Sequence, residues 1–99
     1  MFNMDGQNIS WTAGKVVYKV GDEPDFAYLL TKGEVEILSK KGTRVGFINE
    51  EEVFGELSIL LNTKRTVTTI ALKESQALVI PKENLLNDYN KTSFLLKQF

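Results

Sequence analysis

Short runs of β-branched and aromatic residues, each stopped by a glycine, a proline or a cluster of charges, recur at regular intervals along this chain. The first lies within Trp11 to Val20. It alternates apolar and polar residues through Val16, Val17, Tyr18, Lys19 and Val20, then stops at Gly21, Asp22, Glu23 and Pro24. Phe26 to Leu30 and Glu34 to Ser39 are two more strand-like runs, with Thr31, Lys32 and a turning Gly33 between them. Lys40-Lys41-Gly42-Thr43 reads as a polar hairpin leading to a strand over Arg44 to Ile48. Thr66 to Ala71 and Gln76 to Ile80 flank the charged turn Lys73-Glu74-Ser75. Many short strands spaced in this way predict a closed barrel or a two-sheet roll. The register changes at Pro81, an acceptable first helical residue, after which Lys82 to Tyr89 places Leu85, Leu86 and Tyr89 on one face. Asn90 to Ser93 breaks that pattern, and Phe94 to Phe99 reads as the first turns of a second helix.

At 99 residues the chain is expected to form one domain: an N-terminal segment 1–10, a β-roll 11–80 and a helical segment 81–99. That length accommodates a modest core but not a receptor with an output module, so a protein effector is the expected partner. The net charge is −1, with both signs mixed along the sequence, which argues against a nucleic-acid partner. Cysteine and histidine are both absent from the sequence. Disulfides, thiolate chemistry, the usual zinc sites and histidine acid–base catalysis are therefore excluded, and the expectation is a binding protein with no catalytic residues, metal or cofactor. Met1 to Ser10 is polar and no run approaches the length of a membrane span, so a cytoplasmic location is expected.

The stretch from Phe54 to Thr66 carries the candidate chemistry. Gly55 has no Cβ, so the amides after it can come close to an anion, and Leu57 to Leu61 suits a short apolar helical turn. Arg65 offers a planar fork of donors matched to two phosphate oxygens. Glu56 only accepts, which suits a sugar hydroxyl. The two could also form an internal ion pair that holds a turn against a strand, although burying both charges for stability alone is a poor strategy.

Phe54-Gly55-Glu56-Leu57-Ser58 and, further on, Arg65-Thr66-Val67-Thr68 resemble the phosphate-binding cassette of the cyclic nucleotide-binding domain family. The likeness extends upstream through Ala13-Gly14-Lys15-Val16-Val17-Tyr18, Gly21-Asp22 and Tyr28 to Val35, and so covers most of the chain. It implies a mainly β fold, the double-stranded β-helix or jelly roll, with a short cassette helix and one or more C-terminal helices. It implies cAMP or cGMP as the ligand. Arg65 and the amides near Ser58 and Thr66 would hold the cyclic phosphate, with Gly55 giving close approach and Glu56 holding the ribose hydroxyl. By analogy with the family's strands, Ile37, Val45 and Leu57 would form the apolar wall beside the purine and ribose. Helices at the C-terminal end move with ligand in this family, and here the lid over the base is expected to be short. Thr66 stands where many members carry alanine, and its hydroxyl could bias the choice of base.

Three residues depart from the family pattern: Glu51 and Val67, where glycine and a small residue are usual, and Lys64, where proline is usual. Val67 bears most on the site, because extra methyls beside a close-packed ligand can shift a strand. A degenerate cassette serving as a ligand-independent interaction module is the alternative reading.

Overall fold

The computed structural model describes residues 7–86, so the helical face expected at Tyr89 and the second helix expected over Phe94 to Phe99 lie outside the described residues. The chain order is β1 (Asn8–Trp11), β2 (Val16–Tyr18), β3 (Phe26–Lys32), β4 (Val35–Leu38), β5 (Arg44–Ile48), β6 (Val53–Phe54), α1 (Glu56–Leu61), β7 (Thr68–Ala71) and β8 (Ser75–Pro81). These strands form two four-stranded sheets, ordered β1-β8-β3-β6 and β2-β7-β4-β5. Every pairing is antiparallel, which gives the expected mainly β jelly roll.

Both sheets contribute to one core. Trp11, Tyr28, Leu30 and Val79 from the first sheet meet Val35, Ile48 and Ala71 from the second. Trp11 meets Tyr28 edge-on at 5.4 Å between ring centroids, and Tyr28, Phe54 and Tyr18 continue the aromatic row at 5.3 and 6.3 Å. Such offset geometries suit the ring quadrupoles. A second cluster lies on the outer face of the first sheet, where Ala27 and Ile80 pack against Ile59 of α1 and against Leu85. This explains the unbroken apolar run Ala27-Tyr28-Leu29-Leu30. Central strand β3 is covered on both faces, so the period-two alternation of a half-buried strand is lost there.

Several sequence boundaries shift, and among them Thr31 and Lys32 belong to β3 and Ser75 to β8. Strand pairing begins at Asn8, inside the segment read as an N-terminal lead, because Asn8 to Trp11 pairs with Leu78 to Ser75. Val53–Phe54, read as part of the cassette approach, pairs with Leu29 and Tyr28 as β6. Pro81 ends β8 opposite Phe26 instead of opening a helix, and residues 82–86 are helical. A strand end tolerates proline because no ladder donor is required there. Residues Thr66 and Val67 precede β7 rather than belonging to it. Here the backbone serves a turn: Arg65 N–H donates to the Asp22 carbonyl at 2.9 Å, and Gly21 N–H donates to the Arg65 carbonyl at 2.8 Å.

Gly33 is fixed by the way β4 begins. Its φ is +101°, and an added Cβ would lie 2.2 Å from Ser75 Oγ and 2.7 Å from the Glu74 carbonyl oxygen. Ser75 cannot move aside, since it is fully buried and its hydroxyl donates to the Lys73 carbonyl at 2.8 Å and accepts from Glu34 N–H at 3.2 Å. Gly33→Ala is expected to lower the unfolding free energy by about 2–4 kcal/mol through overpacking and left-handed strain. Urea denaturation checks this.

Glu51, at the position where the family pattern has glycine, adopts a φ of 73°. The turn keeps the glycine conformation with a side chain in place, and Glu51 N–H donates to the Leu30 carbonyl at 2.7 Å. Glu51→Gly is therefore expected to stabilise the domain by about 0.5–1 kcal/mol, seen as a rise in melting temperature.

Candidate functional site

The end of β6, α1 and the segment before β7 surround a cavity of about 330 Å³ between the cassette and the second sheet. Gly55 is the N-cap of α1 and takes a φ of 82°, which turns the chain sharply from β6 into the helix. A Cβ here would stand 3.1 Å from Arg65 Nη1 and 3.3 Å from Tyr18 Cε2. The missing side chain thus makes room for Arg65 and Tyr18 to pack against the cassette backbone. Asn62 closes α1 in the left-handed conformation, with its N–H donating to the Ile59 carbonyl at 3.2 Å.

Arg65 is only 4% exposed. Its Nη1 donates to the Gly55 carbonyl at 2.6 Å and its Nη2 to the Phe26 carbonyl at 2.5 Å. Its guanidinium carbon sits 3.9 Å from the centroid of the Tyr18 ring, a cation–π stack. Arg65 Nε is buried without a hydrogen-bond partner. Glu56 opens α1, is half-buried and lines the cavity. The internal ion pair between Glu56 and Arg65, one of the two sequence readings, is not formed. Backbone carbonyls satisfy the guanidinium instead.

Gly55, Glu56, Leu57, Ser58, Thr66 and Ile37 all line this one cavity. Arg65 sits behind Gly55, and Val45 is 60% exposed on β5 and does not line the cavity. The register accounts for Val45: Ile37 pairs with Gly46 and Leu38 with Arg44, so an irregularity in the ladder falls on it. Tyr18, Phe47 and Thr69 also line the cavity and were not singled out in the sequence. Tyr18 ends an alternating strand and Thr69 lies in a β-branched run, so both look like ordinary sheet residues. Their cross-strand pairing is what brings them to the site.

Burial raises the Tyr18 phenol above its usual pKa, with Arg65 partly opposing the shift and Glu56 adding to it. Burial likewise raises Tyr28, again against an opposing effect of Arg65. Both phenols therefore stay protonated in the fold when free tyrosine has begun to ionise. Above about pH 10 the unfolded chain releases these protons first, so unfolding becomes easier as pH rises. Melting temperature is expected to fall steeply through this alkaline window and to fall less in Tyr28→Phe, as thermal denaturation across pH will read.

Among the described residues no helix is long and apolar enough to cross a membrane. Lysophospholipase nte1 of Aspergillus fumigatus is 30% identical to this chain over 74 residues, which cover 71% of the chain and 5% of that protein. The cAMP-dependent protein kinase regulatory subunit of Debaryomyces hansenii is 34% identical over 62 residues, covering 63% of the chain and 14% of that protein. Among solved structures, the EAL enzyme Bd1971 in its cAMP-bound form aligns with a TM-score of 0.81 at 26% identity, over 93% of this chain and 27% of that one. The chain thus spans a small part of each of these proteins. The family described as the cyclic nucleotide-binding domain matches residues 8–91, and this chain belongs to it.

Proposed function

We propose that this domain is a cyclic nucleotide sensor that binds cAMP or cGMP in the cavity beside α1 and reports occupancy to a protein effector. The observation that carries this reading is the convergence of Gly55, Glu56, Ser58 and Thr66 on one cavity with the Arg65 cation directly behind it. An anionic sugar phosphate meets each group with matching chemistry. The phosphate takes the charge of Arg65 and the amides near Ser58 and Thr66, while the ribose hydroxyl donates to Glu56. Ile37 and Leu57 offer apolar surface to the rest of the nucleoside. Membership of the family and the name of the fungal kinase subunit support this ligand class.

The route to an effector runs through packing. Ile59 of α1 shares its cluster with Leu85, so a shift of the cassette helix is felt by the helical residues 82–86. The same residues are tied to β3, since Lys82 N–H donates to the Asp25 carbonyl at 3.1 Å.

One observation favours the second reading, a ligand-independent interaction module: both Arg65 Nη groups are already bonded to carbonyls. A thermal-shift series with cAMP, cGMP and the corresponding non-cyclic nucleotides separates the two readings, because a ligand that binds only the folded state raises the melting temperature. A selective rise with a cyclic nucleotide is expected, and none at millimolar ligand supports the interaction module. Arg65→Ala is expected to weaken binding by about ten- to a hundred-fold. It should also destabilise the domain, since the Gly55 and Phe26 carbonyls lose their donor. Glu56→Gln is expected to weaken binding by about ten-fold and leave the melting temperature of the ligand-free domain nearly unchanged, as calorimetry and thermal denaturation will read.

A further inference from the structure

Arg65 Nε is buried without a hydrogen-bond partner, and the buried Thr69 hydroxyl has only the Tyr18 phenol to interact with; both residues adjoin Tyr18. Thr69 lies directly opposite Tyr18 in the pairing of β2 with β7, and both line the cavity. Arg65 stacks on the Tyr18 ring. Thr69 is 1% exposed and its hydroxyl interacts with the Tyr18 phenol, so the two form a buried polar pair where an ordinary core would carry apolar side chains. A tyrosine in place of a phenylalanine adds a second hydroxyl at the same spot. One bond between the two hydroxyls leaves hydrogen-bonding capacity unused on the pair, and Arg65 Nε is unpartnered beside them, so an oxygen-bearing partner can complete the arrangement.

Resting on the receptor reading above, we propose that Tyr18 and Thr69 are ligand-positioning residues, a polar floor beneath the cassette. The Tyr18 ring holds the guanidinium plane of Arg65. The two hydroxyls hold an oxygen that the bound cyclic nucleotide supplies, either a phosphate oxygen or a water trapped under it. A phosphate is rich in acceptors and an enclosed water needs two or more polar partners, so the floor fits both. Gly55 adds no Cβ over this floor, where one would crowd Tyr18 and Arg65 at 3.3 and 3.1 Å.

The test compares wild type, Thr69→Val, Tyr18→Phe and Tyr18→Leu in two measurements: melting temperature without ligand, and affinity for cAMP and cGMP by calorimetry. Thr69→Val gives up its bond to Tyr18 and is expected to lose at most a small part of its ligand-free stability, and yet to bind about three- to ten-fold more weakly, the effect of one lost hydrogen bond to the ligand. Tyr18→Phe keeps the stack and is expected to show a similar loss of affinity with little change in melting. Tyr18→Leu removes stack and hydroxyl together and is expected to bind more weakly still. Wild-type affinity in both Thr69→Val and Tyr18→Phe overturns the proposal. Absence of any binding by wild type overturns the receptor reading itself, and is told apart because it precedes every variant.

Discussion

A guanidinium buried against a tyrosine ring holds this site together. Arg65 is the point where β2, β3, the cassette and the start of β7 meet: its Nη groups reach the Phe26 and Gly55 carbonyls, its plane lies on Tyr18, and its backbone bonds to Gly21 and Asp22. Taking a cation out of water costs several kcal/mol unless dipoles replace its hydration. Two carbonyls and a ring face replace much of it, and Nε is left over. Arginine suits the position better than lysine, because its planar fork can bond to two separate carbonyls while its face stacks.

That demand spreads into the backbone. Gly55 suits its place because its φ is left-handed and a Cβ would crowd Arg65 and Tyr18, and the turn it makes starts α1 where Ile59 reaches the outer cluster. The same turn puts Glu56 at the mouth of the cavity and at the positive end of the short helix, where a carboxylate is favoured. Packing of the sheets and shaping of the cavity are therefore one constraint rather than two. Residues that serve the site, Tyr18 and Phe54 among them, also form the aromatic row running through the core to Trp11.

Much of this was legible in the sequence where local pattern decides structure. Arg44 to Ile48 is a strand with the expected bounds, and the turns at Gly33 and Gly42 fall where glycine marks them. What could not be read depends on long-range pairing. Asn8 to Trp11 is too polar to announce itself and becomes a strand because β8 offers an edge. Val53–Phe54 is too short to carry a period of its own. Pro81 looked like a helix start, yet its place opposite Phe26 is set by the β3 register. Within the site, the cassette motif marked the residues that surround the cavity, whereas Tyr18 and Thr69 became visible only through their register across β2 and β7.

The departures from the family pattern divide by what each replaced residue has to do. Lys64 stands exposed in a loop, 3.7 Å from an equally exposed Glu23, and such a surface pair contributes little. Glu51 keeps the conformation of the glycine it replaces, so the strain stays local to one turn. Its neighbours are equally tied down: Glu50 Oε2 accepts from Gly33 N–H at 3.0 Å and Glu52 Oε1 from Asn49 N–H at 2.6 Å. Glu50 and Glu52 thus each fix a backbone amide with a side-chain carboxylate on either side of Glu51. Val67 differs in kind, because its side chain lines the cavity itself. It lies just before β7, which begins at Thr68, two residues beyond the start expected from the sequence; the Thr68 hydroxyl accepts from Val20 N–H at 3.2 Å. The segment before the strand is tied to the turn at Gly21 and Asp22 through the Arg65 backbone, and the pairing of β7 with β4 that carries Thr69 runs without a register shift from Thr68 to Ala71.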